Sequence, residues 1–191
     1  MATPLADLLS DLGAAFAQTG SRWYLFGAQA AIIHGASRLT ADVDVTLMYA
    51  DRPIDDLVVA LGSRGFDIQI ADAAEFVART RVLPTLHAES RIPVDIVFGG
   101  PGLEEDFARR ARPYEIENVT VPVASREDVV CMKILAGREK DLEDALAIVS
   151  AQLEKLDLQR IQGILAMIEE ALDRRDLRPV LDDLMCRVWH R

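Results

Sequence analysis

The sequence predicts an α/β (α+β) core followed by an all-helical C-terminal region. Up to about residue 123, short runs rich in β-branched and aromatic residues alternate with segments of helical apolar spacing. From Ser125 onward only helical spacing remains. Glycine and proline clusters, above all Gly99-Gly100-Pro101-Gly102, cut the first part into short elements. The expected division is therefore a core over 1–123 and a helical region over 124–191.

The elements follow in order. Residues 4–18 carry Leu5, Leu8, Leu9, Leu12 and Phe16 at helical spacing, and Thr19-Gly20-Ser21 ends that helix. Arg22 to Phe26 is aromatic and predicts a first strand. Gly27 punctuates, and Ala28 to His34 is a short apolar helix stopped by Gly35. A polar loop over Ala36 to Ala41 leads into a strand at Val43 to Met48. Pro53 opens a helix to Arg64. Phe66 to Ile70 is a short strand, and Asp72 caps a helix running to Thr80. Arg81 to Ala88 and Ile92 to Phe98 are an antiparallel pair around a polar turn. After the Gly-Pro break come a helix from Leu103 to Arg112 and a hairpin over Tyr114 to Val123, turning at Glu117-Asn118. Ser125-Arg126-Glu127-Asp128 resembles a capping box, and helices are expected over 126–136, 141–154, 157–172 and 177–188.

Composition narrows the function. Half of the 191 residues are hydrophobic, enough for a buried core. No apolar run reaches the roughly 20 residues of a membrane span, and the N-terminus has no basic head or apolar stretch, so a cytoplasmic protein is expected. Cys131 and Cys186 are far apart and read as small buried hydrophobes. With 21 basic and 31 acidic residues the net charge is −10, so a nucleic acid would have to be met by a local basic patch.

The chemistry is concentrated between Leu25 and Val45. Asp42 and Asp44 lie two apart at the start of a strand, so both carboxylates point to one face. Asp95 stands inside the apolar run Pro93-Val94-Asp95-Ile96-Val97, where burial would be costly unless the carboxylate is paired or metal-bound; the alternative is a surface-facing position on a half-exposed strand. Three converging carboxylates form a hard-oxygen site suited to Mg²⁺, which also takes waters and substrate phosphates.

A glycine turn, a short helix, Arg38-x-Thr40-x-Asp42-x-Asp44 and a later lone aspartate on a strand resemble the DNA polymerase β-type nucleotidyltransferase superfamily. With Lys133 and Lys140-Asp141-Leu142-Glu143-Asp144 the pattern is particularly similar to AbiEii-like toxin nucleotidyltransferases, up to about residue 148. The resemblance implies a mixed sheet and Mg²⁺-dependent transfer of a nucleoside monophosphate from an NTP such as ATP to a hydroxyl. It implies metal binding by Asp42, Asp44 and Asp95, and an active-site role for Asp141. It also implies nucleotide contacts at Gly27, Ala28, Arg38, Thr40 and Lys133. The family's second glycine or serine is Ala28 here, which removes a hydroxyl but leaves backbone N–H groups for phosphate.

Each residue also has a plainer reading. Gly27 and Gly35 suit a turn and a helix C-cap, and His34 suits a structural place near a helix end. Arg38 and Thr40 equally suit a solvated loop. Lys133 equally suits a lysine snorkelling from a core helix. Asp141 equally suits a helix N-cap, and Asp144 an ion pair with Lys140. The resemblance favours the tRNA 3′ end as acceptor, with toxin activity and a partner antitoxin protein. A small-molecule acceptor of aminoglycoside or lincosamide type is the second reading, and a degenerate nucleotide-binding scaffold the third.

Overall fold

A computed structural model describes residues 3–49 and 52–189. The expectations that touch Met1-Ala2, Ala50-Asp51 and His190-Arg191 lie outside those residues. The chain forms two compact units: residues 1–26 with 40–124, and residues 27–39 with 125–191.

The first unit is built on a seven-stranded mixed sheet. Its strands are β1 (Arg22–Leu25), β2 (Val43–Met48), β3 (Phe66–Ile68), β4 (Val82–His87), β5 (Pro93–Phe98), β6 (Arg112–Ile116) and β7 (Val119–Val123), in the order β3-β4-β5-β2-β1-β7-β6. The β2/β5 and β1/β7 pairs are parallel; the others are antiparallel. Val43, Val45 and Leu47 of β2 and Val94, Ile96 and Phe98 of β5 are buried. The helix α1 (Pro4–Thr19) buries Leu8, Leu9, Leu12 and Phe16, and Phe16 meets Trp23 of β1 edge-on at 5.4 Å. α1 packs on α3 (Ile54–Gly62), α4 (Ala73–Thr80) on β4, and α5 (Leu103–Arg110) on β1 and β2.

Local signals set these boundaries. Thr3 caps α1 by accepting from the Ala6 N–H, and Asp72 caps α4 by accepting from the Glu75 N–H. The β6/β7 hairpin turns at Glu117 and Asn118, both at positive φ (50° and 70°), the backbone of a two-residue turn matched to strand twist.

The second unit is helical: α2 (Gly27–His34), α6 (Arg126–Ala136), α7 (Glu139–Gln152), α8 (Leu158–Leu172) and α9 (Leu177–Trp189), with a 3-10 turn at Leu153–Lys155. Ser125 caps α6 through the Asp128 N–H. The boundary expected at residue 123 places residues 27–39 with the sheet, whereas in the structure they join the helical unit. The reason is the composition of α2: Ala28, Ala30, Ala31 and His34 are buried, and the helix packs on α6 and α7. Cys131 is buried as expected, and burial pushes its thiol pKa up. Cys186 is exposed, contrary to the reading as a buried hydrophobe, because the buried stripe of α9 is Leu177, Leu181, Leu184 and Met185. Among the described residues no helix is long and apolar enough to cross a membrane.

Gly35 holds the end of α2. Its φ is +123°, and a Cβ there would lie 2.6 Å from the Ala151 Cβ of α7. Gly35→Ala should therefore destabilise by at least the 1–3 kcal/mol typical of overpacking, read as a lower Tm in thermal melts. Adding Ala151→Gly should restore part of the loss, because it relieves the overlap and leaves the backbone strain.

Candidate active site

Two aspartates face each other near the start of the central strands β2 and β5. β2 and β5 run parallel with Asp44 directly opposite Asp95, and Asp42 lies two residues before Asp44. The neighbouring strand β1 is antiparallel to β2, with Leu25 opposite Val45. The next residue, Phe26, donates its N–H to the Asp44 carbonyl at 3.0 Å, so β1 ends beside this aspartate. Gly27 follows at φ +64°, a left-handed conformation that turns the chain from the strand into α2.

β5 alternates cleanly. Val94, Ile96 and Phe98 face the core, and Pro93 and Asp95 are exposed. Asp95 is thus not a buried charge in an apolar run; it occupies the open face of a half-exposed strand. What burial remains around its carboxyl, followed by the negative charge of Asp42, pushes its pKa above the ordinary aspartate value. Thr40 donates its hydroxyl to the Asp42 carboxylate, which fixes that side chain from within the same loop. Among the described residues no group of three or more His, Cys, Asp or Glu is gathered so as to hold a metal ion by itself. The donors present are all carboxylate oxygens. That chemistry fits a Mg²⁺ ion held by one or two carboxylates, with waters and substrate phosphates completing its shell.

In the helical unit a second charged cluster surrounds Lys133. Its ammonium lies 2.9 Å from Asp141 Oδ1 and 2.7 Å from Asp144 Oδ2, and the lysine is only 6% exposed. Arg38 Nη1 reaches the same Asp144 oxygen at 3.0 Å, and Arg138 Nε donates to Asp141 Oδ2. Lys133 therefore does not snorkel to solvent. Asp141 does not cap α7, whose N-cap is Arg138, and Asp144 pairs with Lys133 and Arg38 rather than Lys140. Burial works to raise the Asp141 pKa, but hydrogen bonds from Arg138 and Lys133 outweigh it and hold the carboxyl below the usual range. Ala28 is buried in α2, so its side chain takes part in packing.

Sequence reasoning missed three features. The pairing of Arg138 with Asp141 is one, although a spacing of three is an i, i+3 ion-pair signal. The buried Asp128–Arg160 pair, at 2.7 Å, joins residues 32 apart and has no local signature. Glu169 of α8 accepts from the Leu177 and Arg178 N–H groups and so caps the start of α9 from a neighbouring helix.

A family model described as "Nucleotidyltransferase of unknown function (DUF6036)" matches residues 5–183. The chain belongs to this nucleotidyltransferase family. Solved nucleotidyltransferase structures share its fold. The antibiotic-resistance factor ANT(2'')-Ia, in complex with adenylyl-2''-tobramycin, superposes with a TM-score of 0.61 at 13% identity, covering 89% of this chain and 99% of that one. An antigenic nucleotidyltransferase-like protein from Paracoccidioides brasiliensis gives 0.56 at 18% identity, covering 95% and 94%. The lincosamide antibiotic adenylyltransferase LnuA, lincomycin-bound, gives 0.52 at 15%, covering 76% and 96%. No curated protein matches the sequence. At these identities the likeness establishes the mixed-sheet nucleotidyltransferase fold of this family member.

Two outcomes follow. Lys133→Met should cost about 3–5 kcal/mol at neutral pH, because it leaves Asp141 and Asp144 buried without their shared cation. Asp141's lowered pKa adds stability above the ordinary aspartate value, and that contribution is lost as pH falls through the lowered value; the variant's deficit should thus shrink on acidification, measured as Tm against pH. Asp95 has the opposite sign. Its raised pKa means the folded state binds the proton more tightly, so stability declines as pH rises from the ordinary aspartate value through the raised one. Asp95→Asn should flatten that decline in EDTA.

Proposed function

We propose that the protein transfers a nucleoside monophosphate from an NTP to the hydroxyl of a small cationic acceptor. The observation that carries this reading is the register of β2 and β5, which sets Asp44 opposite Asp95 with Asp42 two residues away. Asp42, Asp44 and Asp95 are the residues that would hold Mg²⁺, and a bound ion would supply charge neutralisation on the triphosphate. Asp95, on the open face of β5, takes the acceptor's hydroxyl proton in this reading. The acceptor oxygen bonds to the α-phosphorus as the bond to pyrophosphate breaks. Thr40 holds Asp42 in place.

Arg38, Lys133, Asp141 and Asp144 act in this reading as one ion-pair network that holds the helical unit together. That same network supports a small acceptor over the tRNA 3′ end. The basic residues that the family layout would offer an RNA are Arg38, Arg126, Lys133, Arg138 and Lys140. Of these, Arg38 faces Asp144, Arg126 faces Glu127, Lys133 faces Asp141 and Asp144, and Arg138 faces Asp141. Little net positive charge is left for a polyanion, and the chain as a whole carries −10. A polycationic drug of the aminoglycoside kind, the acceptor type named for ANT(2'')-Ia, suits such a surface. The AbiEii-like reading, a toxin that modifies tRNA and pairs with an antitoxin, rests on the sequence motifs alone.

The deciding assay incubates the protein with each labelled NTP, Mg²⁺, total tRNA and a panel of aminoglycosides and lincosamides. Label should appear on a cationic drug and not on tRNA. Asp42→Asn and Asp44→Asn should each lower transfer by about a hundredfold or more, with no loss of Tm in EDTA. Labelled tRNA with an unlabelled drug panel would replace this acceptor with the toxin's. Full transfer by the double variant would overturn the catalytic assignment.

A further inference from the structure

The opposite end of the same strands carries a second concentration of charge. β2 and β5 leave the carboxylate end and finish at Met48 and Phe98; β1 and β4, running the other way, begin there with Arg22 opposite Met48 and Val82 opposite Val97. Along β2 the four steps from Asp44 to Met48 span roughly 13 Å. A cavity of about 770 Å³ opens at this end, within the sheet unit, in the size range of small-molecule sites.

Its lining is unlike the rest of this acidic chain. Three arginines, Arg22, Arg52 and Arg81, line it against a single carboxylate, Glu105, among the described residues. Arg81 is held in place. It sits at φ +58° as the left-handed C-cap of α4, and its Nε and Nη2 both donate to the Phe98 carbonyl, Nε at 3.0 Å. A Cβ on Gly100 would lie 3.3 Å from Arg81 Nη2 and 3.9 Å from Glu104 Oε2, so the absent side chain leaves room for the guanidinium there. A non-glycine residue in this conformation is strained and persists where the surroundings demand it. Arg22 is loosely paired, 3.7 Å from Glu105, with its side chain 59% exposed. The wall is aromatic: Tyr49 and Phe98 meet edge-to-face at 6.1 Å, and the Arg52 guanidinium lies 5.6 Å from the Tyr49 ring centre.

We propose that this cavity is a second ligand site, for a phosphorylated compound of mononucleotide size carrying an aromatic ring. Arg22 and Arg81 offer the charge-assisted donors that a phosphate group takes, and the aromatic wall beside them offers a surface for a ring. Arg81, already oriented by Phe98, presents its remaining N–H groups to the phosphate, and Arg22 swings from its loose contact with Glu105 to join it. The ring of the ligand lies along Tyr49 and Phe98. The first turn of α5 holds Glu104, Glu105 and Asp106, so the arginines and not that helix terminus receive the anion.

Calorimetric titration in EDTA tests this, with AMP, adenosine and inorganic phosphate as probes. AMP should bind, and adenosine and phosphate should each bind at least tenfold more weakly. Arg22→Glu, at an exposed position, and Arg81→Gly, which keeps the left-handed backbone, should each weaken AMP at least tenfold. Glu105→Gln should tighten it several-fold. The Asp42→Asn/Asp44→Asn variant should bind AMP as the wild type does, which separates this site from the proposed catalytic one. Loss of AMP binding in the aspartate variant with no change in either arginine variant would overturn the proposal. Phosphate binding as tightly as AMP would overturn the assignment of the aromatic wall.

Discussion

Two aspartates placed opposite one another on parallel strands are an unfavourable pairing, since like charges at directly opposed positions destabilise a sheet. Asp44 and Asp95 sit in that relation, and much of the first unit is arranged to make it tolerable. β5 keeps its buried residues on the other face, and on β2 Asp44 stays half-buried although Thr46 on the same face is buried. Asp95 opens toward solvent and retains its proton more readily than an ordinary aspartate. Thr40 secures Asp42 with a hydrogen bond from its hydroxyl. A sheet optimised only for stability would place a lysine or threonine at one of these positions.

The helical unit handles negative charge in the reverse way. Asp141, Asp144, Asp128 and Glu169 are all buried, and each meets a cation: Lys133 and Arg138, Lys133 and Arg38, Arg160, and Arg178. These pairs join α6 to α7 and α8, and α8 to α9. Their chief effect is specificity of packing, because helices with broad apolar faces slide against one another unless a buried polar contact fixes their register. The helical unit therefore buries its carboxylates against cations, whereas Asp95 stands on the open face of its strand.

Much of this is legible in the amino-acid sequence. The strand β2, the helices α6, α8 and α9 and the turn at Glu117-Asn118 follow from period, caps and turn chemistry to within a few residues. Strand alternation would set Asp42 and Asp44 on one face, but β2 begins at Val43, so Asp42 belongs to the loop before it. Asp95 is legible as a residue but not in its environment: Val94 and Ile96 hide whether the odd or the even positions of β5 face the core. Lys133 is the hardest to place. An apolar run predicts burial of its stem, but its two counter-charges come from the next helix and one of them is shared with Arg38, almost a hundred residues earlier. The grouping of α2 with the last helices is hidden for the same reason, because only tertiary contacts reveal which surface an apolar helix covers.

That grouping has a consequence for how the molecule can be cut. The backbone passes from one unit to the other after Phe26, after Leu39 and after Ala124, so the helical unit is not an appendage joined by a single linker. A gene fragment ending at residue 124 would still encode α2 while lacking α6 and α7, the helices on which α2 packs. Its alanines and isoleucines would then face water in the middle of an otherwise complete sheet domain. The two units are separable as contact clusters but not as polypeptides, and any recombination of this family by domain exchange has to move residues 27–39 together with the C-terminal helices.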